Sequence, residues 1–173
     1  MRKNIRIILL ALSVLCLALA GGCNSKKPLI LTEENIVEWF GENREYFEAV
    51  KEQILLYETD MQNFRFYESW KNIKVEEGFS GKAKTLKKGS LNDALKAFFQ
   101  ATRHARFDRI YVTWNDDECK TTFYSEIRAN YSTNNIKIFY DVYFDEKILG
   151  LYGYGKLADG WYYHMYVTFW DPK

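Results

Sequence analysis

Beyond residue 23 the side chains best suited to chemistry are few: His104, His164, Cys119 and the glycine-flanked run Gly153-Tyr154-Gly155-Lys156. Neither histidine stands in an HExxH spacing and no serine lies in a GxSxG context, so zinc hydrolysis and nucleophile-elbow chemistry have no sequence footing. His164 falls in a strand-like segment, from which it meets Asp141 or Glu126 if strand order allows, the arrangement a general base needs. His104, between Arg103 and Arg106, reads as the basic end of a helix. Cys119 follows Asp116, Asp117 and Glu118, whose charges disfavour a thiolate, so it reads as a hairpin position rather than a nucleophile. The Gly153–Lys156 run and the lysines Lys82, Lys84, Lys87 and Lys88 lack the ordered glycines and terminal Lys-Ser/Thr of a phosphate-binding loop. No catalytic residue, metal ligand or cofactor is assigned, and the balance is against an enzyme.

A binding surface has more support. Ile110/Val112/Trp114, Phe123/Ser125/Ile127/Ala129, Ile136/Ile138/Tyr140/Val142/Phe144 and Trp161/Tyr163/Met165/Val167/Phe169 alternate with polar or amphipathic residues, the period of half-buried strands. If these sets face the core, the opposite face carries Tyr111, Thr113, Tyr124, Glu126, Arg128, Phe139, Asp141, Tyr143, Tyr152, Tyr154, Tyr162, His164, Tyr166 and Trp170. Tyrosine offers rigid contact area with a hydroxyl at its tip, which suits recognition. It also stabilises exposed sheets through cross-strand pairs, so the same residues admit a purely structural role. The candidate surface is Tyr111, Tyr124, Arg128, Tyr143, Tyr152, Tyr154, Tyr162, His164, Tyr166 and Trp170. A strongly curled sheet would turn some of them into pocket walls.

The elements that must position this face are predicted as follows. Leu31-Thr32-Glu33-Glu34-Asn35-Ile36 is a helix start with Thr32 as cap, acids in the first turn and Leu31 stapling onto Ile36. Ile36, Phe40, Phe47, Val50, Ile54, Tyr57, Met61 and Phe64 recur at helical steps, with Gly41 splitting a short helix from a longer one over residues 43–58 or beyond. Residues 70–75 allow a short strand and residues 76–90 read as loop. Ser90 with Asp93 is a capping box opening a helix over residues 91–102. Turns are expected at residues 115–118, 132–135 and 158–160, with a further strand at residues 149–155. The expected fold is α+β: N-terminal helices packed on one face of a mostly antiparallel four- to five-stranded meander sheet.

The N-terminal segment speaks to location. Arg2, Lys3 and Arg6 precede an apolar run over residues 7–20, too short to span a bilayer, and Gly21-Gly22 lead into Cys23. This segment closely resembles a bacterial lipoprotein signal, although Ala20 stands where a larger aliphatic residue is commoner. The resemblance implies cleavage before Cys23, lipidation of that cysteine by acyl chains such as palmitate, and anchorage on the extracytoplasmic face of a cell membrane or outer membrane. Residues 1–22 would be the signal peptide, 23–30 a lipidated tether and 31–173 a single α+β domain.

That cleavage would remove three of the chain's 24 basic residues and none of its 23 acidic ones, leaving a formal charge of −2. Such a balance asks for no nucleic acid partner. It would also remove Cys16 and commit Cys23 to lipid, so Cys119 has no disulfide partner within the chain. The reading that follows is a membrane-anchored lipoprotein that binds or inhibits an envelope or extracellular protein through its aromatic face. The alternatives are small-molecule or envelope-polymer binding in a curled-sheet cavity, and a small enzyme using His164. Metabolic labelling with radioactive palmitate is expected to mark the chain and to fail with Cys23→Ala; label retained by that variant removes the assignment.

Overall fold

The computed structural model describes residues 28–57, 59, 62–78, 81–115, 118–128, 132–141, 144–149 and 151–169. Helix α1 (Ile36–Leu55) is followed by strands β1 (Asn63–Ser69), β2 (Asn72–Glu77) and β3 (Lys84–Thr85), then by helix α2 (Ser90–Ala101). A one-turn 3-10 helix (Arg103–Ala105) leads into β4 (Phe107–Asn115), β5 (Glu118–Arg128) and β6 (Ser132–Tyr140), and β7 (Tyr154–Ala158) and β8 (Trp161–Phe169) complete the described chain. All eight strands join one antiparallel sheet in the order β3-β2-β1-β4-β5-β6-β8-β7.

The expected four- to five-stranded meander is therefore corrected. Two simple meanders, β1-β2-β3 and β4-β5-β6, are joined through the β1–β4 pairing, and β8 is inserted between β6 and β7. The hidden strands have a local cause. Phe64 belongs to β1 rather than to the helical stripe, and Trp70 is a turn residue rather than a strand start. Trp70 and Lys71 form a tight hairpin at φ 51° and 66°, a conformation for which Asn-Gly is the usual sequence signal. Residues 132–135, expected as a turn, are strand, and the strand expected at residues 149–155 begins only at Tyr154.

The helices differ from expectation in detail. Gly41 does not divide α1, because its position is open, with nothing within 4 Å of an added Cβ, and the helix runs through it. Neither helix makes a side-chain cap bond at its N-cap, which is Asn35 for α1 and Gly89 for α2. Asn35 instead accepts the Thr32 backbone N–H at 2.8 Å, the returning arm of a capping box, while the Thr32 carbonyl receives the Ile36 N–H at 3.0 Å.

Ile36, Phe40, Phe47, Val50 and Ile54 are buried, so the predicted apolar stripe of α1 does face the sheet. Phe47 is its centre: its ring lies 4.8–6.0 Å from those of Trp39, Phe40, Phe98, Phe107, Phe123 and Trp161. Edge-to-face contacts predominate, the favourable arrangement for ring quadrupoles. The next residue, Glu48, accepts the Trp161 indole N–H at 2.8 Å and pairs with Lys51 and Arg44. Burial opposes its ionisation, but those hydrogen bonds and charges prevail and hold its pKa below the ordinary value. Both helices thus pack on one face of the sheet, and neither covers the other. Truncating Phe47 to Ala is expected to cost roughly 3–5 kcal/mol in urea unfolding; a cost below about 1 kcal/mol would show that the ring cluster is not the structural core.

Candidate functional site

On the face away from the helices the sheet carries a half-open concavity of about 540 Å³. Strand register builds it. Tyr67, Arg109, Tyr124, Lys137, His164 and Tyr154 lie in one line across β1, β4, β5, β6, β8 and β7, so rings and basic side chains stand side by side across six strands. All but Tyr67 line the cavity, with Tyr111, Lys120, Phe139, Phe144 and Tyr166 among the other walls.

Two glycines position the β7 end of that line. Gly153 has φ +77°, and an added Cβ would fall 2.1 Å from the Met165 carbonyl oxygen. The Gly153 carbonyl accepts the Met165 N–H at 2.9 Å, which starts the pairing that sets Tyr154 against His164. On the other face the Tyr163 ring covers Gly155, where any Cβ would clash with it at 2.3 Å. The glycines of this run therefore serve strand packing. Tyr154 stacks on His164 at 4.0 Å with the planes 2° apart, and Tyr166 stacks on the same imidazole at 5.0 Å. Lys137 closes this side with its ammonium 5.1 Å from the Tyr166 ring.

At the other side, a bulge between Phe107 and Arg109 interrupts the β4–β5 register. Arg109 donates to Asp108 at 2.9 Å and to Glu126 at 2.7 Å, while its guanidinium lies 4.6 Å from the Tyr124 ring. Burial disfavours the guanidinium charge, but these carboxylates outweigh it and raise the Arg109 pKa further. Glu126 is held below the ordinary carboxylate value by Arg109 first and then Arg128. The Tyr124 hydroxyl donates to Asn135, whose amide donates to Thr168 at 3.0 Å and to the Thr133 carbonyl at 3.1 Å. Burial and the neighbouring Tyr166 hydroxyl push the Tyr124 phenol upward, so it stays protonated and able to donate.

Charge in the cavity is one-sided. Among the described residues the lining includes Arg109, Lys120 and Lys137 and no Asp or Glu. Arg109 is matched by Asp108 and Glu126, and Lys120 by Asp141 at 3.0 Å. Lys137 makes no salt bridge among the described residues.

The candidates named from sequence divide accordingly. Tyr111, Tyr124, Tyr154, His164 and Tyr166 line the cavity. Arg128 stands outside it, beside a second concavity shared with Arg65, Arg106 and Arg109, and bonds Glu126 at 2.6 Å. Tyr162 is buried under Phe144, its ring centroid 4.3 Å away, and Tyr152 is almost fully exposed on the turn before β7. Cys23, Tyr143 and Trp170 lie outside the described residues. Lys137, Arg109, Lys120 and Phe144 were not among the candidates. Lys137 was legible as the outward residue between Ile136 and Ile138, but its place in the ring of tyrosines depends on strand order.

Among the described residues neither Asp141 nor Glu126 partners His164. Register sets it opposite Lys137, while Glu126 bonds Arg109 and Arg128, and Asp141 bonds Lys120. The Cys119 thiol pKa is raised, chiefly by burial rather than by the preceding acids, with a contact to the Thr121 hydroxyl opposing it. His104 lies exposed in the 3-10 turn, and the described lysines of residues 82–88 are exposed. Among the described residues no group of three His, Cys, Asp or Glu side chains is placed to hold a metal ion, and no helix is long and apolar enough to cross a membrane. Compared with protein-family models, curated proteins and solved structures, the chain finds no match in any of the three.

Burial, and then Lys137, lower the His164 pKa, against a backbone hydrogen bond with Tyr152 that raises it. The unfolded chain therefore takes up this proton first as pH falls. The associated stability is complete above about pH 6.5, declines below it, and levels off beneath the folded-state pKa. Proton NMR is expected to place the His164 midpoint below that of a model histidine. Between pH 8 and 5, His164→Phe is expected to flatten the fall in urea-unfolding stability; an unchanged slope would remove His164 as its source.

Proposed function

We propose that this chain is a lipid-anchored lipoprotein of the bacterial envelope. Cys23 holds it on the extracytoplasmic side, and the domain binds an anionic small molecule or a segment of an anionic envelope polymer in the concave sheet face. Binding is its function, with no chemical step. The observation that carries this reading is the cavity itself, walled by Tyr111, Tyr124, Tyr154 and Tyr166, with Lys137 unmatched by any described carboxylate. Concave, partly apolar sites with a few convergent polar groups are characteristic of ligand binding. A flat apolar patch would have favoured the protein-partner alternative.

The roles follow from chemistry. Lys137 supplies the charge that meets an anionic group, and the stacked Tyr154–His164–Tyr166 surface supplies a ring-sized platform beside it. Arg109 fixes Tyr124 and, already neutralised, contributes shape more than free charge. The His164 setting supports a stacking role, since a basic neighbour and burial favour its neutral form.

Isothermal titration with an oligosaccharide containing glucuronate, beside its neutral glucose counterpart, and with a glycerol-phosphate oligomer tests this reading. At least one anionic probe is expected to bind and the neutral sugar to bind more weakly. Loss of a charge-assisted bond, worth about 1.5–3 kcal/mol, should make Lys137→Met weaker by about ten- to a hundredfold. Tyr154→Ala/Tyr166→Ala should weaken both classes of ligand. Indifference of every probe to Lys137→Met, or no binding by any, would sink the proposal.

A further inference from the structure

Among the described residues, the non-glycine positions with positive φ are Trp70, Lys71, Arg106 and Tyr152, and all four lie at one end of the sheet. Trp70 and Lys71 form the β1–β2 turn, Arg106 precedes β4 and Tyr152 precedes β7. Register aligns them: Tyr67 pairs with Arg109, bringing the hairpin tip beside the start of β4, and Gly153 meets Met165, leaving the end of β8 on the same side. Left-handed backbone is unfavourable for bulky L residues, yet here it presents aromatic side chains to solvent. Trp70 is 94% exposed and Tyr152 87%, and Phe169 at the end of β8 is 77% exposed.

The chain enters at this same end. The Leu29 N–H donates to the His104 carbonyl at 2.8 Å, in the turn just before Arg106. From Cys23 to Leu29 there are six residue steps, about 20 Å when fully extended. Strand β5 has 11 residues, and at about 3.4 Å per residue it is longer than that reach. A membrane holding Cys23 can therefore meet the Trp70 end of the sheet, and the domain cannot stand upright on its Glu118 end while the tether stays attached.

We propose that the sheet end carrying Trp70, Tyr152 and Phe169 rests in the headgroup region of the membrane that holds Cys23. This inference rests on the lipoprotein reading. Trp and Tyr favour that region, where an apolar ring and a polar group are both accommodated. Lys71, Arg103, Arg106 and Arg128 stand at this end with Glu68 and Asp108, by their positions beside the turns and strand ends. Both signs of charge are present, and the exposed rings supply the apolar part of the contact. The concave face then stands sideways to the membrane and open to the envelope.

The full-length lipoprotein, reconstituted in phosphatidylcholine vesicles containing brominated acyl chains, tests the orientation by tryptophan quenching. With Trp170→Phe as the parent, emission is expected to fall, Trp70→Phe to lose most of that lipid-dependent quenching, and Tyr152→Trp in the Trp70→Phe background to regain it. Vesicle-bound, palmitate-labelled protein with quenching unaltered by Trp70→Phe overturns the orientation while leaving the anchor intact. Absence of both label and vesicle association overturns the anchor, and this inference with it. Concentration-dependent shielding of Trp70 in detergent, without quenching by lipid, assigns the surface to a second copy of the chain and also overturns it.

Discussion

The packing of Phe47 is the constraint on which the rest of this fold depends. Its ring is the meeting point of α1, α2, β4, β5 and β8, in contact with Phe98, Phe107, Phe123 and Trp161. Such a centre binds the helices to one face of the sheet and fixes the distance between layers. The Glu48–Trp161 bond adds direction, since an indole N–H at the base of the core finds its acceptor on α1 alone. With both helices used in this way, neither covers the other face, where among the described residues Phe144 packs over Phe139 and Tyr162. The aromatic side chains there must satisfy one another, and they do so by curling into a concave surface.

That second face is held by matched charges as much as by rings. Arg109 is fixed between Asp108 and Glu126 and lies over Tyr124, while Lys120 is tied to Asp141. These pairs set positions and leave little net field. Lys137 differs because its described contact is the Tyr166 ring. The attraction available to an anion is thereby concentrated at one ammonium in the middle of the sheet, next to a stack of three flat rings.

Much of this was legible in the sequence wherever period alone decides. The stripe from Ile36 to Ile54 marks the buried face of α1, and alternation in β4, β5 and the middle of β6 separates the inner set from the tyrosine set. In β8 burial instead fades along the strand, leaving Val167 and Phe169 exposed and Tyr162 buried, and Phe144, expected inward, lines the concave face. Period fails where turn chemistry is disguised. Trp70 and Lys71 occupy a hairpin turn that ordinarily advertises itself through Asn and Gly, so β1 merges into the helical stripe, the strand expected from residue 70 starts two residues later as β2, and the sheet reads as too small. Gly41 misled in the opposite sense: an exposed glycine weakens a helix by about 1 kcal/mol, which a strongly packed stripe readily absorbs. For the site, the outward phase of Tyr124, Lys137 and His164 was readable, but their alignment was not. Neighbours across a sheet follow from strand order, and the placing of β8 between β6 and β7 leaves no local trace.

This placing of β8 has a consequence for how the chain reaches its folded state. The last described strand is an interior one: it bonds β6 on one side and β7 on the other, and it delivers Trp161 to the Phe40 and Phe47 rings more than a hundred residues upstream. A chain ending near residue 160 would lack the strand that joins β7 to the sheet and the indole that completes the central cluster. Closure of the core must wait for the C-terminal strand, and long-range pairing of this kind is slow to form. Until that strand arrives the polypeptide stays without its finished core, the condition in which a chain can be threaded end to end through a narrow opening.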